Sequence, residues 1–140
     1  MAGDRKKAAA DKAAADKTDG SLDAALLAAR AGLDKKAERV RVLDIRSLSS
    51  YADYLVLMSA TSDRQVNAVA DAVDDALRQA KHRPIGVEGR GPGQWVLIDT
   101  GDVVVHVFQE EAREFYDLDR LWADARVVDV PPAPRPVTPA

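Results

Sequence analysis

The run from Gln94 to Tyr116, QWVLIDTGDVVVHVFQEEAREFY, restricts the fold more than any other part of the chain. Two apolar stretches flank Thr100-Gly101, and an acidic helix start follows at Glu110. Glycine supplies the positive φ of a tight turn, so the two stretches read as a β-hairpin. A two-residue Thr100-Gly101 loop would pair Asp99 with Asp102, Leu97 with Val104 and Trp95 with His106. Side chains alternate across a strand, which places Gln94, Val96, Ile98, Val103, Val105 and Val107 on one face. That face is almost entirely β-branched and reads as core. The other carries Trp95, Leu97, Asp99, Asp102, Val104, His106 and Phe108, a mixture that suits a binding surface better than a dry interior. Tryptophan anchors many interfaces, and carboxylates at a rim select basic partners. The expectation is a sheet with one packed face and one open face.

The flanking sequence supplies the rest of the sheet. Leu22, Ala25, Leu26, Ala29 and Leu33 fall on one face of a helix that Ser21 would cap. Val40 to Ile45 reads as a strand, and Tyr54 to Ala60 as a second strand apolar enough to lie centrally. Ser62 and Gln65 have the spacing of a capping box, and Val66, Val69, Ala70, Val73, Ala76, Leu77 and Ala80 follow at helical intervals. Pro84 to Glu88 reads as a short edge strand, since proline lacks a ladder donor. Gly89 to Gly93 forms a loop. After the hairpin come a helix from about Glu110 to Asp117 and a helical turn over Leu118 to Ala125. Phe115, Leu118, Leu121 and Trp122 are expected to pack in the core. The order implies an α+β fold, a mixed five-stranded sheet with helices mainly on one face.

Of the 140 residues, the first 20 are rich in alanine, lysine and aspartate, and the last ten are rich in proline. Both ends read as disordered tails around a domain spanning 21–130. Uninterrupted apolar runs such as Tyr54 to Met58 are far too short to cross a bilayer, and no cysteine is present. These features point to a cytoplasmic protein with no membrane partner. Residues 1–20 hold five basic and four acidic side chains and residues 131–140 only Arg135, which leaves 14 basic against 19 acidic between them. Such a domain is a poor ligand for bare nucleic acid, whose phosphates need Lys and Arg, and a good one for a basic protein.

Four segments together resemble the ribosomal silencing factor family, also called the Iojap family: Asp53 to Val66 (DYLVLMSATSDRQV), Gly86 to Gly89 (GVEG), Trp95 to Tyr116, and Leu118 to Ala125 (LDRLWADA). They lie in the family's order within Asp53 to Ala125, a span of about half the chain. The resemblance implies a nucleotidyltransferase-like but non-catalytic fold. It also implies a translation repressor that binds the large ribosomal subunit through its fourteenth protein, on the face that meets the small subunit. Binding there obstructs subunit joining when nutrients are scarce, and free family members often look like homodimers. Trp95, Asp99, Asp102, His106, Glu110 and Glu111 are the residues it suggests at or bordering that contact. Hairpin geometry makes Trp95 an apolar anchor and the carboxylates partners for Lys or Arg. Thr100 stands where many relatives carry a larger apolar residue.

Two rival classes are weaker. A nucleotidyl transferase needs carboxylates converging on Mg²⁺ and a glycine-containing turn for the triphosphate, yet the turn after the second strand reads Ala60-Thr61-Ser62 and Asp63 stands alone. Two histidines without cysteine fit no common zinc site, and Gly89 to Gly93 leads into a strand, without the helix amides of a phosphate loop. Stacking of RNA bases on Trp95 and Phe108 is opposed by the acidic balance. The sequence therefore implies no catalytic residue, no cofactor and no metal.

Overall fold

The computed structural model of the protein describes residues 20–131, so most of both expected tails lies outside the described residues. The chain runs α1 (residues 20–34), β1 (Glu38–Asp44), β2 (Tyr54–Ala60), α2 (Asp63–Gln79), β3 (Gly86–Glu88), β4 (Trp95–Asp99), β5 (Val103–Gln109), α3 (Glu110–Tyr116), α4 (Leu118–Leu121) and β6 (Arg126–Val128). The α+β class is as expected, but the sheet has six strands, in the order β3-β4-β5-β2-β1-β6. The added strand, β6, lies antiparallel to β1. Among the described residues only β2 and β5 pair in parallel; the other pairs are antiparallel. All seven residues of β2 are buried, as its uninterrupted apolar character predicts for a central strand.

The strand alternation divides the interior in two. Val42, Val56, Met58, Val96, Ile98, Val103, Val105 and Val107 point to one side, where they meet α1 and α2. From α2 come Val66, Val69, Ala70, Val73 and Leu77. From α1 come Ala24, Ala25, Ala28 and Ala29, with Leu22 packed against them; of the expected face Ala25 and Ala29 are buried, Leu22 and Leu26 only partly so, and Leu33 is 46 % exposed. Small residues let α1 lie close to the sheet: a Cβ on Gly32 would stand 2.3 Å from Met58 Sδ. Ser21 is not a cap, because Gly20 is already helical; its hydroxyl donates to Asp53 Oδ2 at 2.9 Å.

The start of α2 follows the capping box, with a variation. Ser62 Oγ accepts from the Gln65 N–H at 3.1 Å, while Gln65 Oε1 accepts from the N–H of Thr61, one residue before the cap, at 2.8 Å. Gln65 Nε2 then donates to the Lys36 carbonyl at 3.2 Å, which ties α2 to the end of α1.

The hairpin keeps its predicted faces but not its register. Trp95 pairs with Phe108, Leu97 with His106 and Asp99 with Val104, two residues away from the expected pairing. The loop residues are Gly101 and Asp102, with Thr100 bonded to Val103 across the turn at 2.9 Å. Gly101 has φ +96° and Asp102 a negative φ, the pattern of a turn with glycine at its first central position. The Asp99 carboxylate, which accepts from the Gly101 N–H at 2.7 Å, and the Thr100 hydroxyl, which bonds to Val103, both favour this placement. A slip of two residues leaves every side chain on its original face; a slip of one would have reversed them all.

Candidate functional site

On the second side of the sheet, Leu43, Ile45, Leu55, Leu57, Val104 and Phe108 form a smaller core. Ala112, Leu118 and Trp122, from α3 and the segment after it, pack onto this core. The expectation of a face left open along the whole hairpin is therefore corrected. Val104, His106 and Phe108 of β5 are all buried, whereas Trp95, Leu97 and Asp99 of β4 are only partly so. The uncovered strip follows β4.

Trp95 sits at the boundary between the covered and uncovered parts. Its ring lies 4.6 Å from Tyr116 and 5.1 Å from Phe108, centroid to centroid. Its indole Nε1–H donates to His106 Nδ1 at 3.0 Å. That bond requires an unprotonated Nδ1, so His106 is neutral with its proton on Nε2. Burial alone pushes the His106 pKa down to about 4, in agreement with this assignment. His106 is 6 % exposed, so, unlike the expected surface residue, it is buried and holds Trp95 from behind.

The other expected site residues are dispersed. Asp99 is at the far end of β4, roughly 13 Å along the strand from Trp95. Asp102 lines a separate cleft with Ser21, Lys81, His82 and Arg83. Glu110 is ion-paired with Arg39, and Glu111 is exposed beside Phe115 and Tyr116. Trp95 and Glu111 each adjoin Tyr116, on separate clefts, while Asp99 and Asp102 shape the hairpin turn.

Helix α3 contributes what sequence reading missed. Phe115 is 81 % exposed and Tyr116 52 %, their rings edge-on at 5.0 Å; Leu121 is 70 % exposed. Phe115 and Leu121 are therefore not core residues. The helical spacing that suggested so is broken at Asp117, whose φ of +50° separates α3 from α4 and resets the phase. Only Leu118 and Trp122 of that set pack inward. The result is an aromatic ridge of Trp95, Tyr116 and Phe115. The exposed carboxylate of Glu88 borders the groove that Trp95 and Leu97 line. At the other end of the strip, the hydroxyl of Tyr51 is shifted to higher pKa, first by partial burial and then by the carboxylates of Asp99 and Glu88.

The largest fully buried side chain is charged. Arg113, 1 % exposed, donates from Nε and Nη2 to the two carboxylate oxygens of Asp119, each at 3.0 Å. Its Nη1 donates to the Arg39 carbonyl at 2.6 Å and to Ser59 Oγ at 2.9 Å. Arg39 has φ +50° at an irregularity in β1. Asp119 also accepts from Arg41 Nη1 at 2.6 Å. The Arg113 fork holds the Asp119 carboxyl down at about 2, with Arg41 adding to the effect. The one sequence signal for this arrangement was Ser59, a hydroxyl in an otherwise apolar central strand. Among the described residues no group of three or more His, Cys, Asp or Glu side chains is arranged to hold a metal ion. No helix among them is long and apolar enough to cross a membrane.

Comparison with known proteins places this geometry. The family model described as "Ribosomal silencing factor during starvation" matches residues 18–140. The ribosomal silencing factor RsfS of Bacillus subtilis is 40 % identical over 104 residues, which are 74 % of this chain and 88 % of that protein. A mouse protein named for mitochondrial assembly of the ribosomal large subunit is 30 % identical over 91 residues, 63 % of this chain and 40 % of its own length. Among solved structures, a protein from Chromobacterium violaceum superposes with a TM-score of 0.72 at 34 % identity, covering 84 % of this chain and 98 % of that one.

Proposed function

Because the chain belongs to the ribosomal silencing factor family, we propose that it represses translation by docking on the large ribosomal subunit and obstructing subunit joining. The contact is with the fourteenth protein of that subunit, at the intersubunit face, and operates in the cytoplasm when nutrients are limiting. The observation that carries this reading is the aromatic ridge of Trp95, Tyr116 and Phe115 beside Glu88 and Glu111. Exposed aromatics at this density are costly on a surface that meets only water. Acidic neighbours suit a cationic protein and repel an RNA backbone. Steric obstruction requires no catalytic group; it requires a long-lived complex, and a few buried aromatic anchors supply most of the energy in such interfaces.

The test uses purified subunits. The protein should sediment with large subunits, and adding small subunits should then give fewer joined particles. Trp95→Ala should weaken the association by roughly 2 kcal/mol, and reversing Glu110 and Glu111 to Lys should weaken it further. Undiminished joining with the protein bound would end the repressor reading. The mouse relative's name favours a second reading, a role in large-subunit assembly. That role predicts binding to immature particles in preference to mature ones.

A further inference from the structure

We infer that Arg113 is the positioning residue of the docking surface: its buried guanidinium fixes the angle at which α3 presents Phe115 and Tyr116 beside Trp95. The inference rests on the docking reading above. Four acceptors surround the guanidinium, and they come from three separate elements. Both Asp119 oxygens belong to α4, the Arg39 carbonyl to the irregular part of β1, and Ser59 Oγ to the central strand. The Arg113 carbonyl also accepts from the Asp117 N–H at 2.9 Å, so main chain and side chain together hold the left-handed break between α3 and α4.

Seven and four residues are too few for either helix to keep its own shape. The direction of Phe115 and Tyr116 must therefore come from whatever anchors α3. Apolar packing would hold the helices at lower desolvation cost, but it tolerates sliding. A planar fork on a carboxylate admits one orientation. Lysine retains the charge and lacks the fork, which separates the two contributions.

The experiment compares the full chain carrying Trp122→Phe, in which Trp95 is the sole remaining tryptophan, with the same chain carrying Arg113→Lys. Circular dichroism, Trp95 emission and affinity for purified large subunits are measured well below the melting temperature of both. The expected result is a retained helical signal, Trp95 emission shifted to the red and affinity reduced roughly tenfold. A lower melting temperature with emission and affinity unchanged overturns the inference and leaves Arg113 a stabilising residue only. If Arg113→Lys does not fold, Asp119→Asn is read in the same way. Phe115→Ser separates the two levels of the argument. Should it bind as tightly as the parent, the docking reading fails, and the Trp95 emission alone decides whether Arg113 sets the ridge. Should it bind weakly while Arg113→Lys binds normally, the docking reading stands and the positioning role is lost.

Discussion

On one side of the sheet, α1 and the 17-residue α2 bury a surface of valine, isoleucine, methionine and alanine with no charged side chain among its buried members. On the other, α3 and α4 cover only part of a smaller core and are tied down by Arg113, Asp119, Arg41, Arg39 and Glu110. The difference follows from length. A four- to five-turn helix lays a complete apolar stripe on the strands, and each buried aliphatic side chain contributes about 2 kcal/mol. A helix of two turns offers too few such contacts, so its placement falls to directional bonds. The first side is therefore the source of stability. The second trades some apolar burial for a defined geometry and leaves Phe115 and Tyr116 in contact with solvent.

The contrast can be broken by experiment, and the largest effect should come from the aliphatic side. Leu77→Ala should cost about 3 kcal/mol in urea unfolding, with all probes moving together, because it opens a cavity in the main core. A loss below 1 kcal/mol would mean that this side is not the principal source of stability.

Next in size is a pH effect confined to the other side. The unfolded chain protonates His106 near 6.5, whereas the folded protein does so only near about 4, because burial disfavours the imidazolium. Between those values unfolding takes up a proton. The stability contributed by neutral His106 is thus complete above pH 6.5 and is lost as the pH falls toward 4, on the order of 3 kcal/mol. His106→Gln should flatten this limb, and an unchanged slope would show that the imidazole is not the group responsible.

Asp119→Ala should cost about 2 kcal/mol, somewhat less than a fully buried pair, because Arg113 keeps the Arg39 carbonyl and Ser59 as acceptors. Amide exchange should accelerate in α3 and α4 and remain slow in α2. Uniform acceleration would contradict the division between the two sides. The smallest effect on stability is expected for Phe115→Ser, within about 0.5 kcal/mol, since its ring is mostly in water. A larger loss would assign Phe115 to the core after all.

Much of the first side was legible in the sequence. Six residues of α2, from Val66 to Leu77, recur at helical intervals, Ser62 and Gln65 mark its start, and Tyr54 to Met58 has no polar interruption. The faces of the hairpin were also legible, since alternation survives a register error of two. The turn was misread because Thr100-Gly101 and Gly101-Asp102 both supply a glycine; the side-chain bonds of Asp99 and Thr100 decide between them. On the second side the legibility fails for three reasons. Helical spacing across Asp117 assumes a continuity that its backbone breaks. A buried arginine looks like a surface arginine in a sequence, and its partner six residues on matches no helical interval. Three-residue β6 has too little pattern to stand out. Trp95 lies against Tyr116 at the end of α3, while Asp99 and Asp102 were drawn to the turn by ordinary turn chemistry.

Both outermost strands, β3 and β6, are only three residues long, and Pro84 stands two positions before β3. A visiting chain finds little unsatisfied main chain there to zip onto, which disfavours runaway cross-molecular pairing. Recognition of this molecule is thereby pushed toward side-chain chemistry, where identity can be read, and away from main-chain templating, which any extended peptide could exploit.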